Sequence, residues 1–255
     1  MKTIGNTILI TGGGSGIGRG LAEAFHRLGN KVIIAGRGQK TLDETIAANP
    51  GMKSVTLDVS DPKSIQSFAA QVMKDYPSLN VLINNAGMMR PENLLEASNY
   101  LSAAEKTITT NLLGPIRLTA ALLPSLRKQP RATIMNVSSG LAFVPLAMTP
   151  TYCATKAAIH SYTQSLRYQL KATKIEVIEL IPPYVQTTLM GDQQANDPKA
   201  MPLDEFISEV MDILQSQPDA KEICVKRVYP LRFAGELDQE KYDAFFQQFN
   251  EQMHN

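Results

Sequence analysis

Cysteine is scarce in this chain of 255 residues. Cys153 and Cys224 are the only two, with no Cys-x-x-Cys pair and no Cys/His cluster. That spacing rules out a disulfide framework and argues against a zinc or other metal centre. Charge of one sign is missing as well. Lys and Arg number 25 against 24 Asp and Glu, a net +1, with no basic or acidic block. Nucleic acid and anionic membrane surfaces are therefore not expected as main partners. Long apolar runs are absent too: nothing approaches the roughly 18–20 residues needed to span a bilayer. The opening MKTIGNTILITGGG carries one lysine and a short apolar run ending in glycine. It has neither the h-region nor the cleavage site of a signal peptide, so a cytoplasmic location is expected. No G-x-S-x-G elbow occurs, which counts against a nucleophilic hydrolase. Linkers, repeats and low-complexity segments are also lacking, and one domain over residues 1–255 is expected.

What is present is an ordinary globular composition, 44% hydrophobic and 19% charged. Apolar runs of strand length recur at 7–10, 31–36, 53–59, 81–87, 132–139, 175–183 and 222–227. Most are β-branched at successive positions rather than alternating, as in strands covered on both faces. Helical periodicity lies between them at 17–29, 61–75, 102–128 and 152–171. Such alternation predicts an α/β fold: a doubly wound parallel sheet of Rossmann type with helices on both faces. Two regions break the rhythm. Residues 188–205 are polar and rich in Asp, Gln and Pro, and read as a mobile loop before a helix at about 204–216. The tail, about 237–252, reads as a helix whose Phe245, Phe246 and Phe249 pack on the body or on another subunit.

Glycines at 12, 13, 14, 16 and 18 sit between the first strand and the first helix. Glycines let a backbone turn sharply and approach a pyrophosphate, while a helix N-terminus offers free N–H groups and positive potential. In a βαβ chain this position points to a dinucleotide. An acidic residue at the end of the second strand would select NAD. Here the stretch reads IIAGRGQK, with Gly36 where the acid would stand and Arg37 and Lys40 after it. A guanidinium suits a 2′-phosphate, so NADP is expected over NAD.

Farther on, TYCATKAAIH places Lys156 one helical turn from Tyr152. A free phenol has a pKa near 10, too high for ready proton exchange at neutral pH. A neighbouring ammonium favours phenolate, so Lys156 is expected to hold the Tyr152 pKa down. Ser138 and Ser139 fall at a strand's C-terminal end, where ligands bind in open α/β sheets. Cys153 reads as a small buried residue, and His26, His160 and His254 as surface or packing residues. Met88, Met89, Phe143, Val144, Leu146, Met148, Tyr184 and Met190 are candidates for an apolar substrate wall.

Taken together these stretches resemble the short-chain dehydrogenase/reductase family over about residues 5–190. TGGGSGIG (11–18) is similar to its cofactor turn. DV (58–59) matches its adenine pair, NNAG (84–87) its central-strand motif, and NLLG (111–114) its helix asparagine. NVSS (136–139) carries its serine, YCATK (152–156) its Tyr-x-x-x-Lys, and PPYVQT (182–187) resembles its Pro-Gly-x-Val-x-Thr. IPPYVQTTL and the Phe-rich tail resemble, more loosely, a bacterial subgroup associated with D-alanylation of teichoic acids.

The resemblance implies an enzyme moving hydride between NADP(H) and a ketone, aldehyde or secondary alcohol. Tyr152 would be the acid/base, Lys156 its tuner and ribose clamp, and Ser139 the residue orienting the substrate oxygen, with Ser138 second. Asn111 would support a water relay. Gly12, Gly14, Ser15, Gly16, Ile17 and Gly18 would cradle the dinucleotide, and Arg37 would take the 2′-phosphate. Asp58 and Val59 would flank adenine. Asn85, Ala86 and Gly87 would run beneath the adenosine ribose, and Val185 and Thr187 would meet the carboxamide. A small apolar carbonyl or alcohol is the implied substrate, and a homo-oligomer, dimer or tetramer, the implied assembly. Two departures stand out. Pro183 replaces the usual glycine and removes a backbone N–H, and the closing Asp-Gly-Gly is missing. A redox-silent NADP-binding sensor or scaffold is the alternative, but a pure binder has no use for Tyr152.

Overall fold

The computed structural model describes residues 1–95 and 100–254. Seven strands, β1 (Thr7–Thr11), β2 (Lys31–Gly36), β3 (Lys53–Thr56), β4 (Val81–Asn84), β5 (Ala132–Val137), β6 (Ile175–Ile181) and β7 (Glu222–Cys224), form one sheet. Its order is β3-β2-β1-β4-β5-β6-β7 and every pairing is parallel. The helices are α1 (Gly16–Arg27), α2 (Gln39–Ala48), α3 (Pro62–Asp75), α4 (Tyr100–Ile108), α5 (Gly114–Leu126), α6 (Pro150–Gln169), α7 (Asp192–Ala195), α8 (Leu203–Ser216), α9 (Tyr229–Arg232) and α10 (Gln239–His254).

Successive apolar residues on a strand point to opposite faces, so each strand feeds two cores. Ile8 and Ile10 of β1 lie with Leu21 and Phe25 of α1 and Phe206 and Val210 of α8. Leu9, between them, faces Phe68 and Val72 of α3 and Leu118 and Leu122 of α5. That double burial is why the runs read as continuous rather than alternating. Local signals start the helices. Asp61 caps α3 by accepting from the Lys63 N–H at 2.9 Å, and Pro62 occupies the first turn. Pro150 opens α6 in the same way.

Each expected strand is present, but several runs overshoot their pairing. Residues 85–87, 138–139 and 182–183 leave the sheet at the C-terminal rim. The stretch 102–128 is not one helix: a π-helical turn, Thr109–Leu113, separates α4 from α5. Strand order reverses between β1 and β4, so the rim above that boundary is the point where a crevice opens in such sheets.

Candidate active site

The glycine turn leaves β1 and enters α1 above this boundary. Gly12 has φ +68°, a left-handed conformation disfavoured for residues with a Cβ. At Gly18 the constraint is space, because an added Cβ would run into the Gly12 carbonyl and the Asn85 amide. Asn85 braces the turn from β4: its Nδ2 donates to the Thr11 carbonyl at 2.9 Å, and its N–H donates to Thr11 Oγ1 at 3.0 Å. The Ala86 N–H shares that hydroxyl. Asn85 and Ala86 thus hold the turn's shape.

Ser15 is the N-cap of α1, yet its side chain makes no capping hydrogen bond. The first-turn N–H groups therefore stay available to an anion. A cleft of about 430 Å³ opens there, lined by Gly12, Gly14, Ser15, Arg37, Gly38 and Thr41. Arg37 is exposed at its edge. Asp58 accepts from Ser60 through the backbone N–H at 2.9 Å and the hydroxyl at 2.6 Å. Burial raises its pKa, but the Ser60 hydrogen bonds and the Arg37 charge outweigh that and leave the carboxyl below its usual range. An open anion cradle with a cation at its lip fits the phosphates of a nicotinamide dinucleotide. Thr187 lies against Gly16, so the segment after β6 closes over the same turn. Gln194 of α7 pins that segment, donating to the Val185 carbonyl at 2.9 Å and to Thr187 Oγ1 at 3.1 Å. Met201, within the expected loop 188–205, also forms an isolated bridge with Val185.

Across the crevice stand the residues of α6. Tyr152 and Lys156 are 7% and 5% exposed, with the Lys156 ammonium 5.5 Å from the centre of the tyrosine ring. Lys156 Nζ donates to the Val137 carbonyl at the end of β5, at 2.8 Å. The expectation that Lys156 lowers the Tyr152 pKa is not met in this structure. Burial pushes the phenol above its usual value, the Ser139 hydroxyl pulls it back, and Cys153 adds a small upward push. Burial also draws the Lys156 amine down to about 8, with the Glu179 charge opposing. Both shifts favour neutral forms, as expected where desolvation is the largest effect.

Of the two serines, Ser139 is the one whose hydroxyl interacts with the Tyr152 phenol. Its Oγ also accepts from the Leu141 N–H at 3.1 Å. Ser138 turns the other way and donates to Glu179. Asn111 sits in the π turn. Its Oδ1 accepts from the Met88 N–H and its Nδ2 donates to the Met88 carbonyl, both at 2.8 Å, with Thr155 Oγ1 at 3.3 Å. This amide clamps the chain after β4 to α6, and π turns of this kind leave helix carbonyls with altered partners.

Tyr152 and Cys153 share an apolar cluster with Leu146, against which Met89, Leu141, Met148, Phe249 and Met253 pack. Val144 is fully buried core. The Tyr184 hydroxyl goes to Asp197 at 3.1 Å. Cys153 is buried, and desolvation raises its thiol pKa, which suits packing rather than nucleophilic attack. The sequence reading missed Asn250, whose Oδ1 accepts from the Ala147 N–H at 2.6 Å and whose Nδ2 donates to the Pro145 carbonyl at 3.1 Å. It also took His160 for a surface or packing residue. The ring is half-buried and pairs with the wholly buried Glu179 at 2.8 Å. An acid inside the apolar run IEVIELI was the available signal. The side chain of His254 lies outside the described residues.

A profile of short chain dehydrogenases matches residues 6–198. The chain belongs to the short-chain dehydrogenase/reductase family. It is 41% identical over 255 residues to an uncharacterized oxidoreductase, DltE, of Bacillus subtilis, covering 99% of both chains. An NADP-dependent 3-hydroxy acid dehydrogenase of Schizosaccharomyces pombe is 34% identical over 204 residues, covering 76% of this chain and 78% of that one. Among solved structures, a short chain dehydrogenase from Burkholderia cenocepacia in complex with NADP superposes with a TM-score of 0.82 at 25% identity. It covers 96% of this chain and 99% of its own. By family the protein is therefore an oxidoreductase. No helix among the described residues is long and apolar enough to cross a membrane.

Proposed function

We propose that this short-chain dehydrogenase/reductase interconverts a carbonyl compound and a secondary alcohol with NADP(H), Tyr152 serving as the acid/base. The observation that carries the reading is the meeting of Tyr152, Ser139 and Lys156 at the C-terminal rim of β5. When bound, the nicotinamide supplies or accepts the hydride. In reduction, Ser139 donates a hydrogen bond to the carbonyl oxygen and Tyr152 gives that oxygen its proton. Lys156 keeps a positive charge beside the phenolate left behind and would hold ribose hydroxyls with its remaining N–H bonds. A buried phenol of raised pKa is a reluctant donor, so the Lys156 charge beside it matters more than it would in water. Asn111, gripping Met88 and reaching Thr155 of α6, would support a water relay to the amine.

The preference for NADP over NAD rests on Arg37 and on the absence of an acid at Gly36. The apolar cluster around Tyr152 favours an apolar carbonyl. A homodimer or homotetramer in the cytoplasm, acting on a small molecule, completes the reading. A screen of NADPH and NADH consumption over aliphatic and aromatic ketones, aldehydes, quinones and sugars tests it. Oxidation of NADPH by at least one apolar carbonyl is expected. Binding of NADPH with no turnover across the whole panel would leave the sensor or scaffold reading instead.

A further inference from the structure

One polar group near this centre takes no part in the chemistry above. Glu179 lies in the middle of β6 and is wholly buried. Burying a carboxylate is costly unless charge and hydrogen bonds compensate, and such a group rarely persists without a task. Its surroundings are specific. Glu179 Oε1 accepts from the Ser138 hydroxyl on β5. From α6, His160 Nδ1 lies 3.0 Å from Oε1 and 2.8 Å from Oε2. His160 Nε2 is 3.0 Å from the Gln164 side-chain amide. A neutral imidazole satisfies this chain, accepting from Gln164 and donating from Nδ1 to Glu179.

Other charged groups have partners of their own. On β7, Glu222 is held by Nε and Nη2 of Arg232 from α9, at 2.7 and 3.1 Å. The Cys224 thiol, its pKa pushed up to about 12 chiefly by burial, adds no charge at neutral pH. On α6, Arg167 is engaged by the Val177 and Lys221 carbonyls at 2.8 and 2.9 Å, and Lys156 is the α6 cation that the Glu179 charge reaches. The backbone links them further. Lys156 bonds the carbonyl of Val137, Ser138 is the next residue, and Ser139 follows.

We propose that Glu179 is a positioning residue of the Tyr152–Lys156 centre: through Ser138 it anchors the end of β5, and it supplies the buried negative charge that keeps Lys156 an ammonium. The proposal rests on the reading of Tyr152 and Lys156 given above, and it adds a requirement. With Glu179 removed, Lys156 gives up its proton more easily, and the carbonyl-reducing form is lost at a lower pH.

The test uses the full-length protein and two readouts. Lys156 is titrated by NMR of ¹³Cε-labelled lysine, its signal assigned by its loss in Lys156→Met, and carbonyl reduction with NADPH is followed from pH 6 to 10. In Glu179→Gln, the Lys156 midpoint and the high-pH limb of kcat should both move down by about one unit or more, a tenfold change in proton affinity. Glu179→Asp, which keeps the charge, should return most of the shift. If Glu179→Gln lowers kcat equally at every pH and leaves the Lys156 midpoint in place, the side chain is only structural and the proposal fails. If that variant does not fold, His160→Arg lays a fixed cation beside the carboxylate and should move the midpoint in the same direction; an unmoved midpoint there also overturns the proposal. The NMR titration needs no turnover. A shifted midpoint in a protein that reduces no carbonyl would refute the proposed activity while leaving the electrostatic role standing.

Discussion

The two walls of the crevice are built from different materials. The wall above β1 is mostly backbone: a glycine turn, an uncapped helix start and one exposed arginine. The wall on α6 is side chain: a buried phenol, a buried amine and a serine brought against them from β5. A backbone wall recognises what every dinucleotide shares, so it needs shape more than residue identity. A side-chain wall sets proton affinities, so a single atom can decide its output. Substitutions on the two walls should therefore fail differently, one through affinity and the other through turnover.

The largest effect should come from the phenol. Tyr152→Phe keeps the ring within its cluster and removes only the hydroxyl. A loss of about 10²–10⁴-fold in kcat is expected, the usual worth of a positioned acid/base. NADPH affinity, read by fluorescence quenching, should change by no more than a few-fold. A matching collapse of affinity would mean that the two walls are not separable. The unmodified protein carries a pH signature of the same wall. Reduction needs a protonated phenol beside a charged amine. Because Lys156 lies near 8, below an ordinary lysine, the rate should hold at lower pH and fall as pH rises through about 8. Alcohol oxidation starts from the phenolate beside that amine, one proton poorer, so it should rise as reduction falls and level off above the same midpoint. Steady-state rates in both directions over pH 6–10 check the crossing.

On the backbone wall the expected effects are smaller. Arg37→Ala should weaken NADPH binding about tenfold and leave NADH binding nearly untouched. A charge-assisted fork to a phosphate is worth roughly 1.5–3 kcal/mol, but Arg37 is exposed and screened, so the low end applies. Equal losses for both coenzymes would remove the argument for NADP.

The same contrast explains what could be read in advance. The backbone wall is local in sequence: residues 11–18 carry most of it, and βαβ context completes it. The seven strands were legible for a related reason, since burial on both faces leaves unbroken apolar runs. Their C-terminal ends were not. The runs through 85–87, 138–139 and 182–183 stay rich in the same residue types after pairing stops, because the rim that holds ligands is itself packed. The π turn at 109–113 was hidden inside a helical pattern. α2 was passed over because only Leu42 and Thr45 of it are buried, too few to mark a face. On the α6 wall, Tyr152 and Lys156 were legible at one-turn spacing, but the direction of their net shifts was not. It depends on desolvation, which only the packed structure reveals. Glu179 and His160 lie 19 residues apart and meet only because β6 and α6 pack side by side.

The finest test concerns a part of the α6 wall that comes from the far end of the chain. Asn250 of α10 grips both sides of the 145–147 segment, and Tyr242 donates to the Phe143 carbonyl at 3.2 Å. These bonds seat Phe249 and Met253 in the cluster beside Tyr152. None of them touches the reacting groups, so their loss should loosen the wall without stopping the chemistry. Asn250→Ala removes the acceptor of the part-buried Ala147 N–H and the donor to the Pro145 carbonyl, and each such loss costs on the order of 1 kcal/mol of local order. KM for an apolar carbonyl should rise several-fold, kcat should stay within about twofold, and NADPH affinity should be unchanged. A drop in kcat with KM fixed would show instead that α10 acts on Tyr152 itself, making the tail part of the proton-transfer apparatus rather than the wall a substrate leans on.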